Sequence, residues 1–86
     1  MSWVVYILRC ADNSLYTGIT TDVERRLNEH NHDNKKGAKY TRVRRPVVKV
    51  YEETCINRAE ASRREYQVKK LTRDKKQQLI LSGTPS

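Results

Sequence analysis

The chain has 86 residues, 36% of them apolar, with 18 basic against 10 acidic side chains and a net charge of +8. That length supports one domain with one modest core, expected over residues 1–83 with a loose tail at 84–86, and no apolar run approaches the ~20 residues of a membrane-spanning helix. A positive surplus of this size repels itself and suits a polyanion, unless it serves solubility alone.

The opening stretch MSWVVYILRC has neither a basic leader nor a small-residue cleavage site. It is expected to be a strand rather than a signal peptide, and the chain to be cytoplasmic. Cys10 and Cys55 are far apart, with no CxxC or Cys/His cluster, which argues against structural zinc. A reducing compartment argues against a disulfide, so both are read as small buried hydrophobes.

Residues 3–9 alternate and are β-branched, as a strand requires. Ala11, Asp12, Asn13 and Ser14 are turn formers, and Leu15 to Ile19 is the return strand. Because the side-chain period is two, the turn decides whether Tyr6 and Tyr16 share a face. Pairing Ala11 with Leu15 across Asp12, Asn13 and Ser14 puts them together as diagonal neighbours; pairing Cys10 with Leu15 separates them. Gly18 is read at the end of the second strand, either as a bend or as a place where a phosphate approaches the backbone.

Thr21 and Glu24 fit a capping box, which starts a helix running to about Asn31. Val23, Leu27 and His30 fall on its buried stripe, Arg26 on the stripe or its margin, and Arg25, Asn28 and Glu29 on the solvated side. Arg26 by itself is either a salt-bridged structural residue or a catalytic one. Residues 33–46 lack apolar periodicity and hold Lys35, Lys36, Lys39, Arg42, Arg44 and Arg45 around Tyr40. This is expected to be an irregular loop, either simply solvated or binding a nucleic-acid backbone while Tyr40 stacks on a base. His30 and His32 lack a third metal ligand at sensible spacing.

Pro46 opens a third strand, Val47 to Tyr51, which Glu52 and Glu53 are expected to end. Asn57 and Glu60 start a second helix with Ala61, Val68 and Leu71 inward. Glu65 falls on the same stripe. An ionised carboxylate there needs a partner, which periodicity leaves open between Arg26 and a divalent metal. Thr72 caps a last helix to Leu81, docked by Leu79 with Ile80 or Leu81 and ended by Gly83 and Pro85.

The order Tyr6, then Tyr16-Thr17-Gly18, then Arg26 on a helix and Glu65 on a later helix resembles the GIY-YIG nuclease superfamily over residues 3 to about 76. The strings SLYTGITTDVERRLNEHN and KGAKYTRVRRP are similar to its small stand-alone bacterial branch. The first motif here reads Val4-Val5-Tyr6, the second has Thr17 at its centre, and TRDKKQQL lacks an asparagine that many relatives carry.

The resemblance implies an α+β fold, a three-stranded antiparallel sheet flanked by helices in the order β-β-α-β-α-α. It also implies metal-dependent cleavage of phosphodiesters in DNA more than RNA, selective for structure rather than base sequence. Glu65 would hold a single Mg2+ or Mn2+ ion, and Arg26 would pair with the scissile phosphate. Tyr16 would take the proton of the attacking water, Tyr6 would orient that water, and His30 would relay a proton. The alternative is a binding module of the same fold that holds nucleic acid through residues 33–46 without turnover.

Overall fold

The computed structural model of the chain describes residues 2–83. Its elements are β1 (Trp3–Arg9), β2 (Leu15–Thr20), α1 (Val23–His32), α2 (Lys39–Arg42), β3 (Val48–Cys55), α3 (Arg58–Lys70) and α4 (Arg73–Ser82). The sheet is antiparallel in the order β2-β1-β3, which puts β1 at its centre. Flanked on both edges and covered on both faces, β1 buries Val5, Tyr6, Ile7 and Leu8 in succession.

Alternation along β1 sorts its side chains between two layers. On one side Tyr6, Leu8 and Cys10 join Val47, with Tyr16 and Leu27 of α1 packed against them. On the other, Ile7 meets Tyr51, Val68 of α3 and Leu79 of α4.

Of the two parities left open by the turn, the hairpin takes the one that puts the phenols together, in a register that neither pairing gave. Arg9 pairs with Leu15, Leu8 with Tyr16 and Tyr6 with Gly18. The chain turns through residues 10–14, closed by the Cys10 amide donating to the Ser14 carbonyl at 2.9 Å. Asn13 adopts a φ of 68°, which asparagine tolerates because its short side chain bonds locally. An odd loop keeps Tyr6 and Tyr16 on one face, and the shift of two residues brings them close enough to touch.

Two helix starts match their sequence signals. Asn57 accepts from the Glu60 amide at 2.9 Å and Thr72 from that of Lys75 at 3.2 Å. For α1 the cap is Asp22, not Thr21, accepting from the Arg25 amide at 3.1 Å, while Thr20 Oγ1 accepts from the Asp22 amide. In α4 Leu79 docks and Leu81 stays 84% exposed. Gly83 ends it in the left-handed conformation, whereas Pro85 and the expected tail lie outside the described residues.

Three expectations need correcting. β3 does not stop at Tyr51; Glu52 and Glu53 pair with Tyr6 and Val5, because β1 still offers partners there. A bulge between Ile7 and Leu8 leaves Val50 as the extra residue. Cys55, near the sheet edge, is only partly buried, although Cys10 is buried and both are free thiols.

Residues 33–46 form a packed strap rather than an irregular loop. The single turn α2 buries Thr41. Arg45 ties the strap to the end of α1, donating to the His30 carbonyl at 2.7 Å, Asn34 Oδ1 at 2.9 Å and the Asp33 carbonyl at 3.1 Å. One helical turn is too short to leave a readable period, and ties this distant in sequence leave no local trace. Among the described residues no helix is long and apolar enough to cross a membrane.

Candidate active site

Tyr6 sits opposite Gly18, which lies inside β2 and not at its end. A Cβ at Gly18 would fall 2.5 Å from Tyr6 Oη and 2.7 Å from its Cζ. The missing side chain thus makes room for a phenol, and the space expected to admit a phosphate is filled by that ring. Tyr6 is 2% exposed, its ring centroid 6.5 Å from that of Tyr16.

The expected stripe of α1 brings His30 beneath this pair, fully buried. Its Nε2 is 2.9 Å from Tyr6 Oη and its Nδ1 2.8 Å from Thr41 Oγ1. The Thr41 hydroxyl, 3.0 Å from the Ala38 carbonyl, is the side-chain group that faces Nδ1. The Ala38 amide donates to Nδ1 at 3.4 Å and the Tyr6 hydroxyl meets Nε2, so both ring nitrogens are engaged. Burial, with the charge of Arg26, pushes His30 down to about 4. A neutral imidazole with both nitrogens engaged is neither a metal ligand nor a ready proton donor.

Burial and then the neighbouring Tyr16 push Tyr6 up to about 12, against a hydrogen bond from Arg26; the charge of Glu65 also pushes it up. Tyr6 therefore stays a phenol and a donor. Arg26 has a side chain 24% exposed and donates through Nη1 to Glu29 Oε1 at 3.0 Å and to the Lys36 carbonyl at 2.5 Å. Burial works against its charge, but Glu29 and Tyr6 outweigh that and hold it protonated. Glu29 is not on the solvated side: its side chain is 16% exposed and it bridges Arg26 and, at 3.8 Å, Arg25.

Tyr16 lines the opening. Its ring meets His30 edge-on at 5.2 Å and stacks with Tyr40 at 5.9 Å, and the Arg44 guanidinium lies 3.9 Å from the centre of the Tyr40 ring. Arg44 also donates to Asp12 at 3.1 Å and to the Tyr40 carbonyl at 2.8 Å. Arg44 and Arg45 are thus structural ties, whereas Lys35, Lys36, Lys39 and Arg42 remain exposed and Tyr40 is 39% exposed.

Glu65 stands one turn before the buried Val68, its side chain 23% exposed and 3.7 Å from Lys69 Nζ. It is neither turned into open solvent nor the partner of Arg26, which Glu29 takes. The carboxylate held deepest is Glu53, 11% exposed and bonded to Arg64 and Tyr51. Among the described residues no three His, Cys, Asp or Glu side chains gather as a metal cage. A lone half-buried carboxylate suits magnesium, which keeps several waters and takes phosphate oxygens, and does not suit zinc.

The structure thus brings Tyr6, Tyr16, Arg26 and His30 together with Glu65 at electrostatic range. Sequence reasoning missed Glu29 and Thr41. The spacing of Arg26 and Glu29 was a readable signal for the first; Thr41, eleven residues beyond His30, had none.

The GIY-YIG catalytic domain family matches residues 2–78. The chain is 57% identical over 79 residues to a UPF0213 protein of Desulfotalea psychrophila, covering 92% of this chain and 71% of that one. It is 56% identical over 80 residues to a UPF0213 protein of Haloquadratum walsbyi, covering 93% and 88%. The solution NMR structure of a UPF0213 protein from Bacillus halodurans is similar at a TM-score of 0.60 and 51% identity, covering 99% of this chain and 89% of that chain. An E. faecalis protein solved by NMR has a TM-score of 0.64 at 45% identity, covering 95% and 85%. With this fold and these matches, the chain belongs to the GIY-YIG family of nuclease domains.

Proposed function

We propose that this domain is an endonuclease that hydrolyses phosphodiester bonds in DNA with one divalent ion, magnesium or manganese, and selects strand structure rather than base sequence. What supports this reading is the meeting of Arg26 with Tyr6 and the neighbouring Tyr16, with Glu65 near enough for its charge to act on Tyr6. Arg26 presents a fork suited to the scissile phosphate and to the charge that grows on it. Tyr6, kept neutral and fixed by His30, orients the attacking water. Tyr16 takes that water's proton, with Arg26 close enough for the two charges to interact. The water oxygen bonds to phosphorus as the bond to the leaving oxygen breaks. An ion held by Glu65 would polarise the phosphoryl oxygen and ease departure of the leaving oxygen. Lys35, Lys36, Lys39 and Arg42 suit backbone phosphates, which carry no sequence information.

Branched, nicked and single-stranded DNA incubated with and without magnesium tests this, beside Glu65→Ala. Metal-dependent nicking should disappear in the variant while binding persists. Equal cleavage by both proteins would refute the assignment. Binding without cleavage by the unaltered protein would support the alternative, a non-catalytic module of the same fold.

A further inference from the structure

Arg26 faces two ways. Through Nη1 it holds the strap at the Lys36 carbonyl, and on its other side it lines a cleft of about 360 Å3. Trp3, Thr20, Arg25, Glu29 and Arg58 stand with it in the cleft wall, beside Ile19 and Thr21. Three guanidinium groups there face one carboxylate, and Glu29 is already shared between Arg25 and Arg26. Arg58 is exposed, and its guanidinium lies 5.6 Å from the centre of the Trp3 ring. An indole beside forked cations is the chemistry that takes a nucleotide: the ring offers a face to the base and the arginines bind the phosphate. The size suits one small ligand rather than a duplex groove. The basic strap, Arg26 and this cleft thus lie in succession.

We propose that the cleft is the subsite for the nucleotide next to the scissile phosphate, its base against Trp3 and its phosphate on Arg25 and Arg58. This rests on the reading that Arg26 takes the scissile phosphate. A strand then crosses from the exposed lysines of the strap, over Arg26, into the cleft.

Trp3 is the only tryptophan of the chain, so its emission reports on the cleft alone. The full chain, in EDTA, is titrated with a short single-stranded oligodeoxynucleotide, the matching oligoribonucleotide and inorganic polyphosphate, with binding followed separately by anisotropy. Oligonucleotides should quench Trp3, and polyphosphate should bind without quenching it. Arg58→Gln and Arg25→Gln should each lower the slope of log affinity against log salt by about 0.7. Arg63→Gln, at an exposed residue paired with Glu60, should leave that slope unchanged. With magnesium present, Arg58→Gln should raise KM and spare kcat. Anisotropy showing binding while Trp3 emission and the Arg58→Gln slope stay constant would overturn the subsite and leave the nuclease reading standing. Equal quenching by polyphosphate would also overturn it, by showing a plain anion site. A Trp3 response with both slopes lowered but no cleavage would keep a nucleotide-binding cleft, remove the catalytic reading and overturn the placement beside a scissile phosphate, and no binding by any probe would end both.

Discussion

Adding one methyl group at Gly18 tests whether the two phenols and His30 are held as closely as described. In Gly18→Ala the new Cβ meets Tyr6 Oη at 2.5 Å, Tyr6 Cζ at 2.7 Å and Tyr16 Cε2 at 3.2 Å. A flexible side chain at the surface would swing away, but Tyr6 is 2% exposed and bonded to a fully buried histidine. Overpacking a filled interior costs about 1–3 kcal/mol. Alanine recovers about 0.5–1 kcal/mol of the conformational cost of a strand glycine, so the net loss lies between about 0 and 2.5 kcal/mol, centred on about 1 kcal/mol. In a domain this small each kcal/mol lowers the thermal midpoint by about 4–8 °C, which is the drop expected at the centre of that range. Calorimetry or circular dichroism reads this directly. Adding Tyr6→Phe removes the oxygen nearest the new methyl, so the double variant should be less destabilised than the sum of the singles. Metal-dependent nicking should fall more than the folded fraction does, because the ring that orients the water has moved. An unchanged or raised midpoint in Gly18→Ala would show that the pocket has slack, and would refute the close packing on which the site reading relies.

His30 is held at about 4 in the folded chain against 6.5 when free. The unfolded chain binds the extra proton between those values, so stability present above pH 6.5 is lost as pH falls toward 4, on the order of 3 kcal/mol in all. Urea unfolding at pH 7 and pH 4.5 should show a smaller pH dependence in His30→Gln; the same dependence in both proteins would contradict this. Arg45→Ala removes three donors that tie the strap to α1, and should lower stability by about 1.5–3 kcal/mol without changing the salt dependence of DNA binding. Lys39→Ala with Arg42→Ala should do the opposite, flattening the salt slope by about 0.9 per duplex phosphate contact while the unfolding midpoint stays put. A flattened slope in Arg45→Ala would show that its guanidinium leaves the strap to meet the ligand.

Much of the architecture was legible because it is written in short-range periodicity. The β-branched run through Val5 and Ile7, the caps at Asn57 and Thr72, and the inward faces of Ala61 and Val68 each need only neighbours along the chain. The shared face of Tyr6 and Tyr16 was narrowed only to a choice between an odd and an even loop, and the closed hairpin made that choice. The register itself did not follow from turn composition, because it depends on how many residues the closed loop takes up and on Gly18 accepting the Tyr6 ring. Glu29 was misplaced because a helical pattern ranks positions by hydropathy, and a carboxylate drawn inward by Arg26 breaks that ranking.

The amino-acid pattern by itself determined the order of the three strands and three longer helices and the family, and it singled out Tyr6, Tyr16, Arg26 and Glu65. Only the tertiary structure decided which of them touch: Arg26 takes Glu29 rather than Glu65, Thr41 meets His30 Nδ1, and Arg44 and Arg45 bind the chain itself. The reason is physical. Burial preferences are local and repeat every two or 3.6 residues, whereas partner choice belongs to groups brought together by chain closure, where desolvation makes each buried polar atom take whichever partner the packing leaves within reach.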